Sequence, residues 1–534
     1  MHNRDLQAAW HFHNGTKYPN GYLLDFHHRY DAANRPMLFK LYPDLDPIPL
    51  RLDLTQRGIS TLDAVSTGAG LTGEERIPDF DMLSRILHLS AGITKRLHYP
   101  PPWGDMSFRA ASCTGALYHI ELYLVCQDLP GLKAGLYHYE PSQSVLEQLR
   151  QGDFRSVLVE ATGNEPALTR APAILIYTTV PWRNACKYQA RAYRHAFWDG
   201  GTILSHTLAM TTRHELTSRV VMGFVDDDVV RLLDLDLKRE LPIALVAIGE
   251  THEEPQRSID LEPLDLEVMP TAEGEIDFPA IRDMHKASSL EAPEEVKSWR
   301  EAAGNKRKME PPVDLIPLQL IPEDELPQDP LEKVILKRGS SRRFTQEPIT
   351  FGQLSTVLDH SLQGLLADFL PIEDGFLGQP YLIVNNVEGL RAGAYAFHRE
   401  AGGLEVLRSG NFRKEAGRLA LGQALGANAS VNVYFMAPLR PILERFGNRG
   451  YRAAQMEASI LAGRMYLAAY ALGVGATGLT FHDDEVTEFF SPHATDKSVM
   501  FLIALGIPGK RGKVKQVLRK AYSSYHILKE TIRS

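Results

Sequence analysis

The sequence predicts an α+β protein built from two copies of one domain, each with helices packed on a mainly antiparallel sheet. Three observations carry this reading. Gly131-Leu132-Lys133-Ala134-Gly135-Leu136-Tyr137 recurs 258 positions later as Gly389-Leu390-Arg391-Ala392-Gly393-Ala394-Tyr395. The same shift takes Leu146, Glu147, Leu149, Arg150, Gly152, Phe154 and Arg155 onto Leu404, Glu405, Leu407, Arg408, Gly410, Phe412 and Arg413. It also takes Arg191, Tyr193 and Arg194 onto Arg449, Tyr451 and Arg452. A repeat this long is a duplicated domain and not a solenoid unit.

The elements follow in chain order. Residues 1–60, rich in His, aromatic and turn residues, form an N-terminal extension around the first copy, which spans 61–250. Phe80 to Ser90 reads as a helix. Ile120 to Cys126, Ala173 to Thr179 and Ala244 to Gly249 read as strands, and Tyr193, Ala196, Phe197, Leu204 and Leu208 share one helical face. The second copy, 331–516, repeats the order with strands at 381–384, 431–436 and 500–506. Its long helix carries Tyr451, Ala454, Ala458, Leu461, Met465 and Leu472 on one side. Between the copies, 251–330 is rich in Pro and acidic residues and reads as a surface linker. One piece of it, Met284-His285-Lys286-Ala287-Ser288-Ser289, echoes Phe12-His13-Asn14-Gly15-Thr16-Lys17, which draws the N-terminal extension into the repeat. Residues 517–534 form a C-terminal tail.

Composition narrows the function. With 534 residues, 44% hydrophobic and 23% charged, the chain has ordinary globular content. A net charge of −8 argues against nucleic acid or an anionic membrane as partner. No apolar run is long enough to span a membrane, and the start lacks the apolar stretch of a secretory signal. Cys113, Cys126 and Cys186 are too few for a disulfide framework or a Cys-based zinc site. A cytoplasmic location is therefore expected. His11, His13, His27 and His28 lack a completing carboxylate or thiolate at helical spacing, so no metal is expected. Asp226-Asp227-Asp228 and Asp483-Asp484, 257 apart, read as carboxylates at helix N-termini.

The copies differ in three places. The second opens with Arg338-Gly339-Ser340-Ser341-Arg342-Arg343-Phe344. On an extended chain the alternate residues Arg338, Ser340 and Arg342 face one way, and guanidinium forks suit phosphate. The first copy has Thr67-Gly68-Ala69-Gly70-Leu71-Thr72-Gly73 there. Lys510 and Arg511 add a second basic cluster after the last strand, where the first copy is acidic. Conversely, the first copy has a small-residue loop, Arg109-Ala110-Ala111-Ser112-Cys113-Thr114-Gly115, whose backbone N–H groups suit close approach to a flat ring. The second copy has lost it in Ala367–Phe376. Finally, Lys187-Tyr188, two titratable donors, faces Arg445-Phe446.

Together these residues resemble the nitroreductase-like flavoproteins, and among them the SagB-type dehydrogenases that include the azoline oxidases of peptide natural-product pathways. The resemblance covers most of the chain from Leu62 to Lys515, twice over. It implies two tandem nitroreductase-like domains packed as an intramolecular pseudo-dimer, with one FMN per chain clasped between the halves. Arg338, Ser340 and Arg342 would hold its phosphate with help from Lys510 or Arg511. The stretch Thr477-Gly478-Leu479 would lie beside the flavin N5, and Arg109, Ser112, Cys113, Thr114 and Gly115 would cover the ring from the first copy. Lys187 and Tyr188 match the pair implied in proton removal from the azoline. Family loops often carry Pro-Ser where this chain has Ala111-Ser112. The implied activity is FMN-dependent oxidation of a thiazoline or oxazoline, in a peptide or carrier-bound intermediate, to the azole, with biosynthetic partner proteins. Two alternatives stay open: an NAD(P)H-dependent nitro or quinone reductase, and a non-catalytic flavin-binding scaffold subunit.

Overall fold

The computed structural model describes residues 2–31, 33–55, 58–66, 68, 70–99, 104–255, 261–304, 314–371 and 375–509, with the backbone strand Lys515–Gln516. Two seven-stranded sheets share one topology. In the first, the strand order is Pro47–Pro49, Val145–Gln151, Gly135–Glu140, Ile120–Cys126, Ala173–Thr179, Leu241–Ile248 and Ser218–Val221. In the second it is Ile316–Pro317, Gly403–Ser409, Gly393–His398, Gln379–Val384, Val431–Ala437, Ser498–Gly506 and Gly475–Leu479. All neighbours within the two sheets are antiparallel. Central strands such as Ile120–Cys126 are buried at every residue, because both sheet faces are covered, and their apolar runs therefore do not alternate.

Helix α1 (Ala192–Arg213) and helix α2 (Arg449–Ala471) are the equivalent long helices of the two domains. They pack against each other along the molecule's centre. Small residues permit this: a Cβ at Gly201 would stand 2.6 Å from Ser459, and one at Gly463 would stand 2.2 Å from Ser205. Trp198 Nε1 donates to Gln455 Oε1 at 2.6 Å across the same seam. One apolar core runs through both domains and includes Ile203, Met456, Ile460 and Leu461.

The linker does more than cross the surface. Pro279–Ala287 and Pro293–Glu301 are helices whose Ile281, Met284, Val296 and Trp299 are buried. Proline residues start both helices at positions that need no N–H donor, so a Pro-rich composition does not preclude order here. The N-terminal helix Leu6–Gly15 is the counterpart of Pro279–Ala287. Arg194 donates to the His13 carbonyl and Arg452 to the His285 carbonyl, each at 2.6 Å. Their Nε atoms reach Thr16 Oγ1 and Ser288 Oγ. The echo between 12–17 and 284–289 is thus a structural repeat. After the last strand of the second domain, Lys515–Gln516 crosses to pair antiparallel with Ile93–Tyr99 of the first, whose hairpin partner is Gly104–Arg109.

Candidate functional site between the domains

Asp199, on α1, organises the small-residue loop. Its carboxylate accepts from the Thr114 N–H at 2.9 Å, the Thr114 hydroxyl at 2.8 Å, Cys113 Sγ at 3.1 Å and His119 Nε2 at 2.9 Å. Thr202, one turn on, donates to the Ser112 carbonyl at 2.8 Å. Gly115 takes φ 64°, and a Cβ there would lie 3.0 Å from the Tyr188 hydroxyl. The helix Pro181–Tyr188 therefore ends against this loop. Burial, then the Asp199 charge, pushes the Cys113 thiol well above its usual pKa, so Cys113 is a packed thiol and not a nucleophile.

The second domain closes on the same loop. Arg338, buried, donates through Nε to the Ala110 carbonyl at 2.7 Å. Its guanidinium lies 5.6 Å from the Tyr466 ring centroid. Ser340 Oγ lies 3.2 Å from the Tyr466 hydroxyl, which also accepts the Gly478 N–H. Lys95, from the first domain's hairpin, donates to the Lys337 carbonyl at 2.7 Å and so ties the segment before Arg338 to the first domain. Arg109, also buried, donates to the Ile120 and Leu38 carbonyls and packs on the Tyr118 ring.

An aromatic series joins the two sides. Tyr188 meets His195 with ring centroids 4.7 Å apart, His195 meets Trp198 at 4.8 Å, and Trp198 meets Phe501 at 5.7 Å. Phe501 in turn lies 3.3 Å from where a Cβ on Gly478 would stand. Burial raises the Tyr188 phenol above its usual pKa, so it stays protonated. Lys187 is exposed, with Nζ 5.2 Å from the Tyr188 ring centroid.

The predicted residues are thus only partly assembled. The structure brings Arg109, Ser112, Cys113, Thr114, Gly115, Tyr188 and Arg338 around one seam, with Ser340, Thr477, Gly478 and Leu479 on its far side. It does not bring Arg338, Ser340 and Arg342 onto one point: Arg338 turns to the Ala110 carbonyl, Ser340 to Tyr466, and Arg342 is exposed. Alternation along an extended chain gave the direction of each residue but not the pull of the facing domain. Lys510 and Arg511 lie outside the described residues. The N-terminal histidines are used in packing, as with His13 Nδ1 at 3.3 Å from the Tyr451 hydroxyl and His28 Nε2 at 2.8 Å from the Cys186 carbonyl. Sequence reasoning missed Asp199, Lys95 and Tyr466. The first had a readable signal, an acid inside an apolar helical face.

The equivalent seam on the opposite side is filled. Val220 holds the place that Gly478 has in the second domain. Its N–H donates to the Leu366 carbonyl, and its carbonyl accepts from the Asp368 N–H, both at 3.0 Å. The Asp368 carboxylate accepts from the Met222 and Gly223 N–H groups at 2.9 and 2.8 Å. The segment that replaced the small-residue loop pairs with the edge strand through one parallel bridge, Val220 to Ala367, and closes the seam.

Comparisons with known proteins agree with this duplicated architecture. The profile of the Nitroreductase family matches residues 74–250 and again 335–507. A Methanocaldococcus jannaschii protein named as a nitroreductase is 28% identical over 171 residues, 32% of this chain and 80% of that protein. The microcin B17-processing protein McbC of Escherichia coli is 26% identical over 145 residues, 26% of this chain and 53% of McbC. The crystal structure of a protein from Anabaena variabilis, also named as a nitroreductase, matches with a TM-score of 0.73 and 26% identity, over 94% of this chain and 99% of the other. With two full matches in tandem, one to each copy of the repeat, this chain belongs to the nitroreductase family of oxidoreductases.

Proposed function

We propose that the chain binds one FMN at the seam between the small-residue loop and the Gly475–Leu479 strand and oxidises a thiazoline or oxazoline, in a peptide or carrier-bound intermediate, to the azole. What supports this is the contrast between a seam whose loop is kept small at Ser112 to Gly115 and an opposite seam closed by 366–368. The residues present fit the cofactor. Ser341 Oγ, inside the Arg-x-Ser-x-Arg stretch, is buried without a hydrogen-bond partner among the described residues. Gly115 and Gly478 both lack a side chain where one would crowd the seam. Arg338, Ser340 and Arg342, with Lys510 or Arg511, would hold the phosphate, an assignment that requires Arg342 to turn inward and Arg338 and Ser340 to turn from the Ala110 carbonyl and Tyr466. Arg109, Ser112, Cys113, Thr114 and Gly115 would flank the ring opposite Thr477, Gly478 and Leu479.

Bound FMN would supply a two-electron acceptor. Lys187, as its neutral amine, would take the proton lost from the azoline ring. Tyr188, held protonated by burial, would donate a hydrogen bond and orient the substrate. The similarity to a microcin-processing protein supports a peptide substrate and partner proteins. The experiment is to incubate the purified, FMN-loaded chain with an azoline-containing peptide and follow loss of two hydrogens by mass spectrometry. Turnover that persists in Lys187→Ala contradicts the assignment. The likeness to proteins named as nitroreductases favours a second reading, reduction of a nitroarene or quinone by NAD(P)H. NAD(P)H oxidation with a nitroarene, unchanged in Lys187→Ala, would select it.

A further inference from the structure

The second domain carries a cluster that the proposed activity does not use. His398 ends one strand, Glu405 lies on its neighbour, and His493 follows the helix Asp483–Phe490. His398 Nε2 is 2.7 Å and His493 Nε2 is 3.3 Å from the same oxygen, Glu405 Oε2. All three ligating atoms lie within 4.8 Å of one another. Ligands about 2.0–2.1 Å from a tetrahedral zinc ion lie about 3.3 Å apart, so the set matches a three-ligand site with little movement.

The surroundings anchor His493 from behind. The buried Tyr381 hydroxyl, to which Lys497 donates, lies 2.7 Å from His493 Nδ1 and 3.3 Å from the His493 carbonyl. A hydrogen-bond partner on the far nitrogen fixes the ring orientation, as outer partners of metal-bound histidines do.

The duplication provides an internal comparison. Glu147, the first-domain counterpart of Glu405, accepts from His138 Nδ1 at 2.9 Å within the sheet. The place of His138 is Ala396 in the second domain, and the place of His398 is Glu140 in the first. The second copy has thus moved its imidazoles from inside the sheet to a partly open rim, where side-chain exposure is 11% for His398, 25% for Glu405 and 27% for His493.

We infer that His398, Glu405 and His493 form a site for a divalent transition-metal ion of zinc type, with a fourth position open to water. Spacings of 7 and 88 residues hide such a set from motif reading. The test uses the full chain, stripped with a chelator and dialysed against Zn²⁺, with bound metal counted by mass spectrometry. One Zn²⁺ per chain is expected. His398→Ala and His493→Ala should weaken binding at least about 100-fold, and Tyr381→Phe about 10-fold, while His98→Ala leaves it unchanged. X-ray absorption of the zinc-loaded wild type, which needs no variant to fold, should show only nitrogen and oxygen ligands, with the nearest at about 2.0–2.1 Å. Failure to retain Zn²⁺ from micromolar solution, binding unaffected by the two histidine substitutions, or sulfur scattering would overturn the site and leave a protonated His–Glu pair.

Discussion

Arg194 of the first domain and Asp483 of the second are 2.6 Å apart and fully buried. Arg191 meets the same carboxylate at 2.9 Å. The mirror arrangement joins Arg449 and Arg452 to Asp226, with Arg452 at 2.9 Å. Each domain therefore neutralises two buried guanidinium groups with a carboxylate from the other, and the pseudo-dimer is held by reciprocal charges as well as by apolar packing.

Removing either acid leaves two buried cations without their counter-charge. Asp483→Asn should destabilise the fold by about 3–5 kcal/mol, read by denaturant unfolding. Burial alone would raise the Asp483 pKa, but Arg191 and Arg194 outweigh it and hold it at about 2. A folded value below the unfolded one means the contribution is complete above about pH 4 and is lost as pH falls toward 2. In Asp483→Asn that part of the acid sensitivity should disappear.

Glu457, five residues beyond Arg452 on α2, behaves in the opposite sense. Burial raises its pKa to about 8, against the opposing donors Leu377 N–H and Gly378 N–H. A folded value above the unfolded one means stability is greatest below about pH 4 and declines as pH rises toward 8. Glu457→Gln carries no charge, although its single amide oxygen can accept from only one of the two N–H groups. Its stability relative to wild type should rise by on the order of 1–3 kcal/mol between pH 5 and pH 8, measured by unfolding at the two pH values.

Arg338→Ala should weaken FMN binding about 10- to 100-fold, since a charge-assisted hydrogen bond is worth about 1.5–3 kcal/mol. Flavin fluorescence titration measures it. Lys187→Ala should leave that affinity unchanged while lowering azoline oxidation at least about 100-fold.

Asp368→Ala takes the partner from the Met222 and Gly223 N–H groups. Each buried unsatisfied donor costs about 1–3 kcal/mol, so the melting temperature should fall. Flavin content should not rise, because the Leu366 carbonyl still occupies the Val220 N–H. A second bound flavin in this variant would count against the pairing of 366–368 with Val220 as the reason for closure.

Much of this was legible in the sequence because the duplication supplies its own alignment. Ile120–Cys126 and Ala173–Thr179 have the predicted ends, since continuous apolar runs bounded by turns leave little latitude. The two long helices follow from apolar spacing, and the acids at 226 and 483 do begin helices. What was hidden is their partnership with arginines 223–292 residues away, which no local pattern encodes. The segment 366–368 illustrates the same limit. Its loss of small residues was visible, but its pairing with Val220 depends on the other domain. Arg342 shows the reverse: its type and spacing suit a phosphate, yet the side chain is exposed.

The account rests on two unequal seams, one proposed to hold FMN and one closed by the pairing of 366–368 with Val220. The most direct measurement is the amount of FMN released per polypeptide after saturation and removal of free cofactor. The account predicts one; a value near two, or none, would contradict it.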